Sequence, residues 1–477
     1  MSDATPRRPA AVPRLLPEGT LVHLVGVGGA GMSALATILL ERGHPVSGSD
    51  LRGGRALAGL AAMGARVHVG HQAAYVDGAA LVAVSTAVPA SNPEVVRAEE
   101  RGIPVVTRAE LLAALMVDRR ALLIAGTHGK TTTTAMTTVC LQTAGLDPSF
   151  AIGGALHESG TAAHHGTGDV FVAEADESDR SFLSYLPHCA VVKNVELDHH
   201  ETYADLGAVV TAFGDFLVRR PAGGLAVVCR DDAGAAALVE QAAGPLLTYG
   251  EHPDADLRLT DVALDAHGSS CTLVRGSDEL VRLTLLRAGR HSLLNAAAAA
   301  AGALWAGAGW EAVARGLAGF TGAQRRFQRV GTAAGVTVID DYAHHPTELA
   351  VNIAAAHQTV RAGRVVAVFQ PHLYSRTAAL CGEFGHALAG ADLVVVTDVY
   401  GAREAPVPGV TGGLIAEAAR AAGVPTHYVP AASDLPMAVA ELVSAGDLVL
   451  TFGAGDITEV GPALLAVLRE RHTDDDA

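Results

Sequence analysis

Short apolar runs recur along the chain, each followed by a longer Ala-rich stretch with helical spacing. The runs fall at 21–25, 45–48, 81–85, 122–125, 170–174, 190–194, 225–229, 336–339, 365–370, 393–397 and 448–452. Runs this short, apolar and bounded by glycine or polar residues read as strands buried on both faces, and the stretches between them as covering helices. That alternation predicts an α/β class built on parallel sheets with helices on both sides. The stretch 296–309 is Ala/Gly-rich and shorter than a membrane span, so it reads as a buried helix.

The pattern divides into three sections, at 19–118, 119–328 and 329–472, with a Pro/Arg-rich tail before them and an acidic tail after. A length of 477 residues and a hydrophobic content of 49% suit three domains with full cores. The formal net charge of -16 gives no electrostatic reason to coat nucleic acid or an anionic membrane. The cysteines at 140, 189, 229, 271 and 381 are scattered, without CxxC spacing, and read as reduced thiols. The first twenty residues contain no apolar core of a signal peptide, so a cytoplasmic location without membrane insertion is expected.

Candidate chemistry lies just past the apolar runs. Gly126-Thr127-His128-Gly129-Lys130-Thr131-Thr132 follows one of them and opens a helix expected from about Thr132. Strand, glycine loop, Lys-Thr and helix is the layout of a phosphate-binding loop: backbone N–H groups and the helix N-terminus take phosphate oxygens, lysine neutralises charge and the hydroxyl can ligate Mg²⁺. The usual spacing has four residues between the first glycine and Gly-Lys-Thr, and this loop, counted from Gly126, is shorter. Upstream, Gly26-Val27-Gly28-Gly29-Ala30-Gly31 follows a strand, with Asp50 at the end of the next. This fingerprint points to a diphosphate on a helix N-terminus, and it leaves a dinucleotide and a nucleotide sugar both open.

Three more groups follow strands. In Glu174-Ala175-Asp176-Glu177-Ser178-Asp179, Glu174 ends an apolar run where a Mg²⁺ ligand is expected, and the other acids read as a solvated turn. In Asn194-Val195-Glu196-Leu197-Asp198-His199-His200-Glu201, a histidine beside acids suits a metal or phosphate. The runs Asp340-Asp341-Tyr342-Ala343-His344-His345 and Gln370-Pro371-His372-Leu373-Tyr374-Ser375-Arg376 would meet at one sheet edge, with an arginine suited to a carboxylate. Tyr400 to Glu404 and Gly453 to Ile457 would line the same edge. Arg325-Arg326 stands at the junction of the second and third sections and could clamp a phosphoryl group.

Taken together, GVGGAGMSALA, GTHGKTTTT, AEADESD, DHHETY, DDYAHHPTE, QPHLYSRT, VYGARE and GAGDI resemble the Mur ligases of bacterial cell-wall synthesis, from about Leu21 to about Pro462. The resemblance implies a Rossmann-like UDP-sugar domain, a central P-loop ATPase domain with a mainly parallel sheet, and a Rossmann-like C-terminal domain. It implies ATP-dependent amide formation through an acyl phosphate, with UDP-N-acetylmuramate and L-alanine as substrates. The alternative is the recycling branch, which uses a ready-made tripeptide. Ser178, where that branch has a bulky aromatic, and Tyr342, where it often has Phe, favour alanine.

By the same resemblance Lys130, Glu174, His199 and Arg326 carry catalysis. Gly126, Thr127, Gly129, Lys130, Thr131, Thr132, Asn295, Arg326 and Asp341 bind ATP. Thr131, Glu174 and His199 hold Mg²⁺, two ions being expected, with Mn²⁺ as a substitute. Gly28, Gly29, Gly31, Asp50, His71, Ser85, Thr86 and His128 form the UDP-sugar site. Tyr342, His344, His372 and Arg376 form the amino-acid pocket, with His344 a candidate base for the amine. Monomer and homodimer both stay open. One departure is Ser292, where the family often has the first of two asparagines; the second is Asn295.

Overall fold

The computed structural model describes residues 16–157, 159–265, 268–360, 362–402 and 404–475, so the tail 1–15 and Arg403 lie outside the described residues. The chain divides into two compact units. One comprises Met1–Glu196, Leu206–Tyr249 and Ala298–Val313; the other comprises Leu197–Asp205, Gly250–Ala297 and Ala314–Ala477. Strands and helices alternate as expected, and the α/β class holds.

The first unit opens with β1 (Val22–Val25), α1 (Ala30–Glu41), β2 (Val46–Asp50), α2 (Arg55–Ala62), β3 (Arg66–Val69), β4 (Leu81–Val84), α3 (Pro93–Glu100), β5 (Val105–Thr107) and α4 (Arg108–Met116). The strands form a parallel sheet in the order β3-β2-β1-β4-β5. Helix α3 starts where Pro93 fits the first turn and the Asn92 side chain accepts the Glu94 N–H. Helix α4 starts on a capping box, Thr107 with Glu110.

A second sheet begins with β6 (Arg120–Ala125), α5 (Lys130–Thr143), β7 (Ser149–Ala151), β8 (Ala163–His164), β9 (Val170–Ala175), β10 (Cys189–Val192), α6 (Leu206–Val218), β11 (Leu225–Cys229), the short helix α7 (Ala233–Ala236) and β12 (Leu246–Gly250). Its order is β12-β11-β10-β6-β9-β7-β8, with β10 apolar throughout and β6 apolar after Arg120. The phosphate-loop strand therefore sits between β9 and β10, so the loops after all three open on one edge.

In the second unit β13 (Leu257–Asp265), β14 (Gly268–Arg275) and β15 (Asp278–Leu285) form an antiparallel meander. Then follow α8 (Arg290–Ala306), which runs from one unit into the other, and α9 (Trp310–Gly319). The last sheet comprises β16 (Gln328–Ala333), β17 (Val336–Asp341), α10 (Pro346–Thr359), β18 (Val365–Phe369), α11 (Tyr374–Leu388), β19 (Leu393–Val396), α12 (Gly412–Ala421), β20 (Thr426–Tyr428), α13 (Leu435–Leu442), β21 (Leu448–Phe452) and α14 (Val460–Asp475). Its order is β16-β17-β21-β18-β19-β20, with a separate apolar core against each face.

The sheets are mainly parallel, as expected for the central domain, and antiparallel strands flank them. Strand β8 pairs antiparallel with β7, β16 with β17, and the β13–β15 meander is antiparallel throughout. Strands β8, β15 and β16 lie at sheet edges and β13 keeps one wet face, as its alternating burial records, so these lack the continuous apolar signature; β14, though mostly buried, opens on Gly-Ser-Ser and carries none either. The Ala-rich stretch is part of α8, with Ala296 to Ala300 fully buried. No described helix is long and apolar enough to cross a membrane. Four cysteines are buried and free; the fifth, Cys381, is half-buried on α11.

Candidate active site

The loop after β6 turns through Gly126 (φ 144°) and Gly129 (φ 75°), the latter left-handed and capping α5, which starts at Lys130, two residues earlier than expected. A Cβ on Gly126 would stand 3.0 Å from the Lys193 Cβ and 3.3 Å from the Asn194 backbone. That close approach lets segment 193–196 strap the loop. The Asn194 carboxamide oxygen accepts the His128 N–H at 2.7 Å, and its amide donates back to the His128 carbonyl at 3.2 Å. Thr127 N–H donates to the Asn194 carbonyl, and the Glu196 N–H donates to the Thr127 hydroxyl. Asn194 was not among the expected site residues; it stands in a run read for its acids and histidines.

Lys130 folds back over this loop. Its Nζ donates to the Gly126 carbonyl at 2.8 Å and to both carboxylate oxygens of Glu177, at 2.8 and 3.0 Å. Burial works against the ammonium, yet Glu177 and Asp176 outweigh it and hold the lysine's pKa above its usual range. Glu177 is 1% exposed, which corrects its reading as part of a solvated turn.

Thr131, in the first turn of α5, donates its hydroxyl to Glu174 at 3.0 Å, and the other Glu174 oxygen accepts the Gly153 N–H. A buried hydroxyl against a carboxylate is a hard-oxygen pair that suits Mg²⁺. Thr132 is buried on the same helix. His128 lies beside Glu196, Nε2 to carboxylate 3.3 Å.

At the first glycine loop the Gly28 N–H donates to Asp50 at 2.9 Å, and a Cβ on Gly28 would meet that carboxylate at 2.8 Å. A Cβ on Gly31 would meet the Arg108 side chain at 3.0 Å, so an unpredicted arginine stands beside the loop. Gly29 caps α1. Ser85 and Thr86 follow β4, and the Ser85 N–H donates to Val25 across the sheet. His71 sits on a buried network. Glu94, fully buried, takes His71 Nδ1 at 3.1 Å, His23 Nε2 at 2.9 Å and the Ser49 hydroxyl. Burial opposes the charge of Glu94, but the bonds from His23 and Ser49 keep its pKa below the usual carboxylate range.

The second unit gathers the remaining candidates. Tyr342, His344, His372 and Tyr400 form a chain of ring contacts, with centroids 5.4, 5.9 and 6.0 Å apart. The His344 Nδ1–H donates to the Tyr342 carbonyl at 2.9 Å, so the neutral ring keeps its lone pair on Nε2. Burial lowers its pKa to about 4, with Glu348 opposing. Arg325 and Arg326 both lie over the Tyr342 ring, at 5.0 and 5.1 Å. Asp341 accepts the Phe327 N–H with one oxygen and the Ala343 N–H with the other, and burial pushes its carboxyl up to about 6. It therefore ties the 325–343 segment together, a role beyond the expected contact with nucleotide.

His199 has a left-handed backbone (φ 55°), and its carbonyl accepts from Thr202 and Tyr203. Glu174 belongs to the first unit and His199 to the second. Arg376, in the first turn of α11 and expected to be open to a carboxylate, is instead 5% exposed and paired with Asp198. Asn295 and Ser292 are buried in α8, where the Ser292 hydroxyl donates to the Ala288 carbonyl.

Comparison with known proteins meets this geometry. The description Mur ligase family, catalytic domain matches residues 21–120. Mur ligase middle domain matches 124–303, and Mur ligase, glutamate ligase domain matches 325–455.

The chain belongs to the Mur ligase family.

Among its relatives in the family, a UDP-N-acetylmuramate–L-alanine ligase of Saccharopolyspora erythraea is 51% identical over 467 residues, 96% of this chain and 95% of that one. One of Mycolicibacterium gilvum is 50% identical over 481 residues, 98% of this chain and all of that one. Among solved structures, the UDP-N-acetylmuramate-alanine ligase from Thermotoga maritima superposes with a TM-score of 0.80 at 28% identity, covering 95% of this chain and 99% of that one. A murein peptide ligase from Psychrobacter arcticus shares the fold, with a TM-score of 0.72 at 23% identity over 94% of this chain and 99% of that one.

Proposed function

We propose that this chain joins L-alanine to UDP-N-acetylmuramate at the expense of ATP, releasing ADP and phosphate, in the cytoplasm. The observation that carries this reading is about half identity, over nearly the whole chain, to relatives named for that reaction. The same relatives favour it over the recycling ligase. The three sheets support domains at 19–118 for the UDP-sugar, 119–328 for ATP and 329–472 for the amino acid.

A carboxylate is a poor electrophile, so the substrate carboxylate first attacks the γ-phosphate to give an acyl phosphate, which the alanine amine then displaces. Lys130 takes the transferring phosphate on the loop that Gly126, Thr127, Gly129 and Thr132 shape, and Arg326, Asp341 and Asn295 engage the nucleotide. Thr131, Glu174 and His199 would hold Mg²⁺, two ions being expected, with Mn²⁺ as a substitute; bound there, the metal would spread the charge of two approaching anions. Gly28, Gly29, Gly31, Asp50, His71, Ser85, Thr86 and His128 receive the UDP-sugar. Tyr342, His372 and Arg376 hold alanine, and His344, neutral with Nε2 free to accept, takes the amine proton.

The test is phosphate release from ATP with Mg²⁺ and UDP-N-acetylmuramate, with and without L-alanine. Release that needs both substrates is the expected result. Release triggered by the tripeptide but not by alanine would overturn it in favour of recycling.

A further inference from the structure

Arg376 is a buried cation whose partner is already in place. Its Nη2 donates to the two Asp198 oxygens at 2.9 and 3.2 Å, and its Nε donates to the first of them at 3.2 Å. Asp198 is itself 5% exposed, and its Oδ1 also accepts the His199 N–H at 2.7 Å. All three guanidinium contacts use the Nε–Nη2 edge. The Nη1 corner makes no hydrogen bond to the described residues. A planar guanidinium offers five N–H groups in a rigid fork, so one edge can serve a resident carboxylate while the other serves an arriving one.

The backbone supports a fixed fork. Leu373, the residue before α11, holds a left-handed conformation (φ 70°) that a bulky side chain rarely adopts, and it is buried. Its carbonyl accepts the Thr377 hydroxyl at 2.8 Å, and its N–H donates to Tyr400. On the other side His199, next to Asp198, is left-handed as well. Both members of the pair thus stand on turns that their surroundings hold in one conformation.

We infer that Asp198 is a positioning residue for the amino-acid substrate: it aligns Arg376 and stays bound while the alanine carboxylate takes the Nη1 corner. The inference rests on the proposed reading that Arg376 receives alanine. The opposite arrangement has Asp198 standing in for the substrate carboxylate, so that alanine must displace it. The two differ in sign. A positioning carboxylate helps alanine bind and a stand-in hinders it.

The experiment measures KM for alanine, ATP and UDP-N-acetylmuramate, the Mg²⁺ activation curve, and the preference for L-alanine over L-alaninamide, in Asp198→Asn and Asp198→Glu. Asp198→Asn is expected to raise KM for alanine about tenfold and to shrink the preference for alanine over its amide. KM for the other two substrates and Mg²⁺ activation should stay within about twofold. Asp198→Glu should recover part of the loss. A lowered or unchanged KM for alanine overturns the inference, as does a change confined to Mg²⁺ activation, which would place Asp198 in service of His199.

Arg376→Lys separates the two layers and covers the case in which Asp198→Asn fails to fold. An ammonium held by Asp198 cannot offer a second fork, so KM for alanine should rise at least tenfold. If that rise appears and the Asp198 variants leave alanine untouched, only the inference falls. If Arg376→Lys leaves KM for alanine unchanged, the alanine reading of Arg376 falls as well.

Discussion

The glycine loop of the first unit and the Arg376 corner of the second each centre on a cation that the chain has paired with its own carboxylate. Lys130 gives Nζ to both oxygens of Glu177; Arg376 gives one edge to Asp198. The resemblance ends with geometry. An ammonium is a compact point charge, so whatever phosphate it meets must compete with Glu177 for it. A guanidinium is a fork, and Asp198 leaves part of it open. Both pairs solve the same problem, an otherwise unpaired cation, and on the proposed reading with opposite consequences for the ligand: exchange in the first unit and addition in the second.

Removing the first cation has the largest expected effect. Lys130→Ala should lower the rate of phosphate release by about 10²–10³-fold, the usual cost of losing one preorganised donor at developing charge. A loss below tenfold would mean that Lys130 serves the fold of its loop alone.

A pH titration of stability sharpens the contrast between the units. Asp341 has a carboxyl raised to about 6 in the folded chain against 3.8 unfolded. The native state therefore keeps a proton that the unfolded state has lost, and the contribution of Asp341 to stability falls as pH rises from about 4 to 6, then levels off. The full span is up to about 3 kcal/mol. His344, lowered to about 4, contributes a slope of opposite sign over nearly the same range; the Asp341 slope should therefore appear as the difference between the unaltered chain and Asp341→Asn in denaturant titrations from pH 4 to 7.

Glu177→Gln tests whether Lys130 must exchange partners. The unliganded protein should lose about 1.5–3 kcal/mol, the worth of a hydrogen bond to a charged group. The rise in melting temperature on adding ATP with Mg²⁺ should then exceed that of the unaltered chain. An equal rise would show that the lysine does not change hands. The smallest effect belongs to the strap: Asn194→Ala removes two hydrogen bonds to the His128 backbone and should cost about 1–2 kcal/mol, read as a several-fold higher KM for ATP with the alanine KM unchanged.

Legibility followed burial. Strands 225–229 and 448–452 emerge from the sequence residue for residue, because each is an apolar run closed by polar or glycine positions. Strands β13 and β15 have exposed positions along their length and gave no such run. Helix α5 begins at Lys130 because a left-handed Gly129 can cap it, a backbone choice that the letters Gly-Lys-Thr only permit. Residues whose chemistry shows in the sequence, such as Lys130, Thr131 and Glu174, could be proposed from motif and position. Those that act through another residue could not. Glu177 passes for a solvent-facing acid until Lys130 is seen against it, and Asp198 is separated from Arg376 by 178 positions. Glu94 likewise gains meaning only where three elements bring His23, Ser49 and His71 to it.

The burial of four thiols also makes the chain a ready-made spectroscopic tool. Cys140 and Cys271 are pushed up to about 12 by desolvation, and Cys189 higher still, so almost none of their thiolate exists at neutral pH to meet an alkylating dye. Cys381 alone is partly open, on α11 and little more than one helical turn beyond Arg376. A maleimide fluorophore should therefore settle on that single thiol without engineering, and its emission would report directly on what happens at the start of that helix.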